Sequence, residues 1–172
     1  LVRSLGAAAQ PDIVAARRLL HRFPEVSGYE ANTQKLLCEQ LDELGIPYRK
    51  LDNNGIIATI AGTAPGAYDA DGAPVRRVAL RADMDALPVA EQTGLPFASE
   101  NPKAAHCCGH DMHAAMLLTA AKMLKEQENR LAGTVKLMFQ PSEETLTGSR
   151  NMLEHGILEQ PKVDAALAYH VG

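Results

Sequence analysis

The chain has 172 residues, of which 46% are hydrophobic and 22% are charged, and its formal net charge at pH 7 is −4. This length suits one domain with a substantial core, and the slightly acidic balance does not indicate a nucleic-acid partner. No stretch approaches the roughly 20 apolar residues of a membrane-spanning helix, and three cysteines do not form a disulfide framework, so we expect a reduced, cytoplasmic protein without a membrane partner.

The first third of the chain predicts two helices and a hairpin. Apolar residues recur at helical spacing over 11–23, with Pro11 near the first turn and Pro24 as the stop. A second helix is predicted over 31–45, where leucines share one face and a glycine ends the helix. An Asn-Gly dipeptide between two apolar segments then predicts a β-hairpin within 46–62.

From residue 75 onward, predicted strands alternate with predicted helices. Strands are predicted at 78–81, 134–139 and 163–169, one helix over about 111–127, and another that begins with Ser142 as its N-cap. This alternation favours an α/β fold in which a largely parallel sheet has helices on both faces. The sequence has no glycine-rich nucleotide-binding motif, which argues against the dinucleotide-binding and P-loop classes.

Acidic residues and a histidine follow these three strands. In chain order they are Asp83 and Asp85, Glu143 and Glu144, and His170. Ligands of open α/β sheets bind beyond the carboxyl ends of the strands. We therefore expect these side chains to converge there, together with the loop that opens the helix near residue 111.

The stretch HCCGHDMH at 106–113 is the strongest indication of chemistry in the sequence. Thiolate, imidazole and carboxylate groups are ligands of borderline divalent ions such as zinc. Two adjacent cysteines cannot easily bind the same ion, so we expect only one of Cys107 and Cys108 to do so. The Glu-Glu pair at 143–144 offers one carboxylate as a metal ligand and the other as a proton acceptor.

Each of these residues taken alone also has a structural interpretation. Acidic residues favour the first turn of a helix, and aspartates form turns. His21 and His155 lie in helical segments without evident partners, so we interpret them as structural. We assign supporting or structural roles to His106, Cys107 and His113.

Four motifs in this order resemble those of the aminoacylase-type metallopeptidase family: RADMDALP, HCCGHDMHAAML, FQPSEE and AYHVG. The most similar branch is the amidohydrolases, which include hippurate hydrolases, N-acyl-amino-acid amidohydrolases and auxin-conjugate hydrolases. The resemblance runs from the first helix to the last residue. It implies a three-layer αβα catalytic domain with a mostly parallel mixed sheet, two bridged divalent ions (zinc, manganese, cobalt or nickel) and an inserted lid domain through which the protein forms homodimers.

The same resemblance implies a role for each candidate residue. Glu143 resembles the general base, and Asp85 resembles the aspartate that orients a metal-binding group, with Asp83 as its weaker neighbour. The implied metal ligands are Cys108, His110, Glu144 and His170. The implied reaction is hydrolysis of the amide bond of a small-molecule N-acyl amino acid by water that the metal ions activate.

The sequence departs from the family pattern in two places. Cys107 stands where family members usually have a small residue, and the family's lid domain, the C-terminal part of its catalytic domain and its last metal-binding histidine have no counterpart after His170. We therefore interpret residues 1–172 as the N-terminal part of the catalytic domain of a longer enzyme and expect little activity from this part alone. Two alternatives remain open, a non-catalytic metal-binding or thiol-redox module and a truncated scaffold that binds no metal.

Overall fold

The computed structural model describes residues 2–171 and contains one five-stranded sheet with helices against it. The helices are α1 (Val2–Arg22), α2 (Ala31–Glu43), α3 (His110–Glu126) and α4 (Gly148–Glu154). The strands are β1 (Tyr48–Lys50), β2 (Ile56–Ala61), β3 (Arg77–Asp83), β4 (Thr134–Gln140) and β5 (Ala165–Ala168). The predicted second helix, the hairpin, the later strands and the long helix near residue 111 are therefore confirmed.

The sheet is mixed, with the strand order β1-β2-β4-β3-β5. The β1–β2 hairpin and the β2–β4 pair are antiparallel, whereas β4–β3 and β3–β5 are parallel, with Leu80 beside both Leu137 and Leu167. Parallel pairing is thus confined to the three strands predicted from residue 75 onward. The consequence for function is that β3, β4 and β5 all end at the same edge of the sheet.

Helices cover both faces of the sheet, as predicted. The side chains of β2 alternate between the faces, since Ile56 and Ile60 enter the main core while Ile57 points the other way. The main core lies between the sheet and α1, α2 and α3, and it includes Leu37, Leu41, Ala115, Leu137 and Phe139. A smaller core on the opposite face contains Met138 of β4 and Met152 of α4. No helix within residues 2–171 is long and apolar enough to cross a membrane.

The first helix begins earlier than predicted. Because α1 starts at Val2, Pro11 lies inside the helix instead of near its first turn. The preceding segment is rich in alanine, which has the highest helix propensity, and it extends the helix despite the missing N–H of the proline.

The predicted helix start at Ser142 is wrong. Ser142 has a φ of 53°, in the left-handed region, and α4 begins only at Gly148. Between them the chain forms a turn in which the N–H of Leu146 donates to the carbonyl of Glu143 at 2.8 Å. The two adjacent glutamates therefore lie in a turn after β4, and a favourable helix dipole does not explain their position.

Candidate metal centre

The predicted site residues converge at the carboxyl edge of β3, β4 and β5. The first turn of α3 also lies at this edge. The helix begins at His110, directly after Gly109. Gly109 has a φ of 92°, and a Cβ there would lie 2.4 Å from Cγ2 of Val171. A glycine is therefore required for α3 to start this close to the segment that follows β5.

His110 is fully buried at the centre of the cluster. Its Nδ1–H donates to the carbonyl oxygen of Asp85 at 2.9 Å and lies 3.1 Å from the carboxylate oxygen of the same residue. Its Nε2 is buried and has no hydrogen-bond partner among the described residues. That nitrogen lies 3.7 Å from carboxylate oxygens of Asp83 and Glu143, and 3.8 Å from one of Glu144. An unpartnered nitrogen facing three carboxylates is the arrangement expected around a cation.

Cys108 and His170 extend this group of donors. The Cys108 sulfur lies 3.6 Å from Nε2 of His170. Three overlapping sets of potential ligand atoms share His110, and within each set all atoms lie within 4.8 Å of one another. Besides His110, the first set contains Cys108 and His170, the second Glu143 and Glu144, and the third Asp83 and His113. A carboxylate oxygen of Glu144 is also buried without a partner among the described residues. Thiol, imidazole and carboxylate donors around two unpartnered buried atoms fit a divalent metal ion.

Asp85 holds the His110 ring in place. Ser27 Oγ donates to Asp85 Oδ2 at 2.6 Å, and the N–H of Glu144 donates to the same oxygen at 3.1 Å. Burial alone would raise the pKa of Asp85, but the hydrogen bonds from His110, Ser27 and Glu144 outweigh it and lower the pKa to about 2. Asp85 is therefore a carboxylate at neutral pH, and it keeps the proton of His110 on Nδ1 and Nε2 directed at the cluster.

The electrostatic surroundings of this cluster favour added positive charge. Burial acts to lower the pKa of His110, but the hydrogen bond to Asp85 and the charge of Asp83 raise it above its usual value. Burial and the carboxylate of Glu144 raise the pKa of the Cys108 thiol to about 11. A thiol in this environment ionises only when a nearby cation compensates the charge, which disfavours a free redox-active thiol at this position.

Asp83 and His113 are already bonded to other groups. Asp83 is fully buried, and its carboxylate accepts from Arg81 Nη1 at 2.5 Å and from His113 Nδ1 at 2.6 Å. Nε2 of His113 accepts the N–H of Val171 at 3.0 Å. Both ring nitrogens of His113 are thus used, so this side chain ties α3 to β3 and to the segment after β5. His106 is also buried, and burial lowers its pKa to about 4.

His21 and His155, for which the sequence shows no evident partner, both have partners in the structure. Nδ1 of His21 lies 2.7 Å from a carboxylate oxygen of Asp111, and its Nε2 lies 3.2 Å from Glu91. Arg17 contacts the same Asp111 oxygen at 2.9 Å, so these groups fix the first turn of α3 against α1. His155 contacts Asp52 on the other side of the sheet, away from the cluster.

Two residues beside the site were missed by the sequence analysis. Ser27 contacts Asp85, and Glu30 accepts the N–H of Ser142 at 2.8 Å. Both lie in the short segment between α1 and α2, which the apolar pattern marks only as a break. The only signal for them in the sequence was a serine and two glutamates in a linker. This signal is weak because only the tertiary fold places the segment beside the ends of β3 and β4.

Comparison with known proteins identifies relatives along nearly the whole chain. Residues 79–172, more than half of the chain, match peptidase family M20/M25/M40. An N-acetyl-L-cysteine deacetylase of Bacillus subtilis is 40% identical over 162 residues, which cover 94% of this chain and 36% of that protein. An N-acyl-L-amino acid amidohydrolase of Geobacillus stearothermophilus is 34% identical over 172 residues, which cover 99% of this chain and 44% of that protein.

A solved structure from Bacillus subtilis, described as a dinuclear metal binding peptidase from the M20 family, has the same fold. It is 38% identical with a TM-score of 0.85, and the match covers 96% of this chain and 44% of that chain. This chain therefore spans less than half the length of these relatives. Because the family match covers more than half of the chain and agrees with the four sequence motifs, the chain belongs to peptidase family M20/M25/M40.

Proposed function

We propose that this chain is the N-terminal part of the catalytic domain of a dinuclear metal-dependent amidohydrolase that cleaves N-acyl amino acids. The observation that carries the proposal is the buried Nε2 of His110 at the carboxyl edge of the sheet. This nitrogen has no hydrogen-bond partner among residues 2–171, although carboxylate oxygens of Glu143 and Glu144 lie near it. The names of the relatives support it, since they describe a deacetylase of N-acetyl-L-cysteine, an N-acyl-L-amino acid amidohydrolase and a dinuclear metal binding peptidase.

The metal ions would be held by a thiolate, two imidazoles and a carboxylate. These belong to Cys108, His110, Glu144 and His170. When bound, the ions would polarise the scissile carbonyl and make a water molecule more acidic. Zinc, manganese, cobalt and nickel are all candidates, and the thiolate mildly favours the softer ions among them.

Glu143 is the proposed general base. Its side chain is 34% exposed while one of its oxygens lies 3.7 Å from Nε2 of His110, so water can reach the carboxylate beside the ligand cluster. In the proposed reaction Glu143 takes a proton from the attacking water, whose oxygen bonds to the acyl carbon. The C–N bond then breaks, and Glu143 transfers the proton to the leaving amine nitrogen. Asp85 exchanges no proton in this scheme and fixes the ring of His110.

We also propose, from the family resemblance, that the complete protein carries a lid domain and a C-terminal part of the catalytic domain. The lid would join two subunits, and the C-terminal part would supply a further metal-binding histidine. Substrate specificity would then depend in large part on segments outside these 172 residues.

Metal content and turnover of the complete protein test the proposal together. We expect elemental analysis to find bound divalent metal in the wild type, hydrolysis of hippurate, and loss of metal in Cys108→Ser and His110→Ala variants. The isosteric Glu143→Gln variant should keep its metal but lose turnover. A thiol-redox module predicts instead that Glu143→Gln behaves as the wild type, and a metal-free wild-type protein would contradict the proposal.

A further inference from the structure

Glu30 is a fully buried carboxylate that does not serve the helix it precedes. It occupies the N-cap position of α2, but its side chain makes no capping hydrogen bond there. That helix start is instead bonded by Glu25, whose carboxylate accepts the N–H of Thr33 at 2.7 Å and its hydroxyl at 2.9 Å. The burial of Glu30 therefore requires another explanation, because an ionised group is costly to bury without strong partners.

The partners of Glu30 lie on the turn that follows β4 and on the hairpin. Its Oε1 accepts the N–H of Ser142 at 2.8 Å and the Ser142 hydroxyl at 3.3 Å. Its Oε2 accepts from Nδ2 of Asn54 at 3.2 Å. Ser142 has a φ of 53°, which residues other than glycine adopt rarely, so the bond to Glu30 stabilises an otherwise unfavourable backbone conformation.

The turn after β4 is thus held on both sides of Glu143. Before it, the N–H of Ser142 donates to Glu30, and after it, the N–H of Glu144 donates to Asp85 at 3.1 Å. Gly148 closes the turn, since its N–H donates to the carbonyl of Ser142 at 3.1 Å. Between these fixed points the two adjacent glutamates direct their carboxylates at Nε2 of His110.

We propose that Glu30 is a positioning residue that acts through Ser142. By accepting the N–H of Ser142, it fixes the direction in which the chain leaves β4 and thereby the placement of the two glutamate carboxylates. The effect of this placement on metal binding and turnover rests on the proposed function, whereas the fixing of the turn does not. Removing the acceptor oxygen should loosen the turn, while a variant that keeps an oxygen at the same place should not.

Two substitutions in the complete protein separate the acceptor from the charge. Glu30→Met keeps a similar side-chain volume but leaves the N–H of Ser142 without an acceptor, and Glu30→Gln removes the charge but keeps an amide oxygen. The matched control is Glu25→Met, which removes a carboxylate from the same segment without touching the turn after β4. A structural role of this segment in general would make Glu25→Met and Glu30→Met behave alike.

Amide hydrogen exchange measures the turn directly and needs neither metal nor substrate. We expect a protected Ser142 amide in the wild type, exchange at least about tenfold faster over 142–144 in Glu30→Met, and near wild-type exchange in Glu30→Gln. In Glu25→Met the change should be confined to the start of α2. A wild-type Ser142 amide that exchanges as fast as exposed loop amides would overturn the proposal even if Glu30→Met does not fold.

Manganese titration and hippurate hydrolysis then test the consequence for the site. Supporting residues around metal sites typically change affinity or activity by about 10–100-fold when mutated. We expect Glu30→Met to raise the Kd for Mn²⁺ and lower kcat by about tenfold or more with KM within about twofold, and Glu30→Gln to stay near the wild type. A loosened turn with unchanged Kd and kcat would contradict the positioning role. A protected turn in a protein that neither binds Mn²⁺ nor cleaves hippurate would instead count against the proposed function alone and support the fixing of the turn.

Discussion

Asp85 receives hydrogen bonds from three separated parts of the chain, which explains why one carboxylate can organise the centre. Ser27 comes from the segment after α1, His110 from the start of α3, and the N–H of Glu144 from the turn after β4. These bonds hold the pKa of Asp85 at about 2 despite its burial. Asp85 therefore carries a negative charge at neutral pH and also fixes the orientation of the His110 ring.

Replacing Asp85 by asparagine should lower the affinity of the site for metal. The substitution Asp85→Asn keeps the shape of the side chain but removes the charge that holds the proton of His110 on Nδ1, and we expect the Kd for Zn²⁺ to rise by about 10–100-fold. Competition with a chromophoric chelator measures that Kd. The matched control is Asp164→Asn, which removes a carboxylate paired with Arg77 at the opposite edge of the sheet. Equal affinities in the two variants would contradict the role of Asp85.

At the scale of the elements, the site depends on how α3 approaches the segment after β5. Gly109 permits the close contact with Val171, and His113 accepts the N–H of Val171 while donating to Asp83. Helix α3, strand β3 and the residues around His170 are thereby joined by one glycine and one histidine. Loss of either contact should move His170 relative to Cys108.

We expect Gly109→Ala to destabilise the protein more than Gly66→Ala. Both glycines have positive φ, 92° and 77°, so both substitutions add backbone strain of about 1 kcal/mol or more. A Cβ at Gly66 meets no atom of residues 2–171 within 4 Å, whereas a Cβ at Gly109 lies 2.4 Å from Val171 and adds a steric cost of about 1–3 kcal/mol. Urea unfolding measures the difference. If the two variants lose the same free energy of unfolding, the contact with Val171 is unimportant for stability.

The elements also show where sequence patterns succeed and where they fail. The strands and the helix at 110–126 follow from apolar periodicity, and the rule that ligands bind at carboxyl ends of strands placed Asp85, Glu143 and His170 together. The prediction of a helix that starts at Ser142 was wrong because the backbone conformation there depends on a hydrogen bond to Glu30, which is 112 residues away in sequence. Ser27 and Glu30 were missed for the same reason, since their roles exist only in the folded chain.

At the scale of the whole molecule, the candidate ligands join parts of the chain that are distant in sequence. His110 opens α3 and Cys108 lies just before that helix, Glu144 follows β4, and His170 follows β5. Strand β5, which leads to His170, is exposed along its full length. A bound cation would therefore act as a crosslink between elements that lie far apart along the chain.

Metal binding should accordingly raise the thermal stability of the complete protein. A ligand that binds only the folded state at a free concentration about 100 times its Kd adds about 2.7 kcal/mol to the free energy of unfolding. We expect chelation to lower the Tm of the wild type and added Zn²⁺ or Mn²⁺ to restore it, as scanning calorimetry would detect. The double variant with Cys108→Ser and His110→Ala should lose this response, whereas His155→Ala, which changes a histidine on the other side of the sheet, should keep it. A Tm that is the same with chelator and with metal would contradict a metal centre at this edge and favour a scaffold that retains the fold without binding metal.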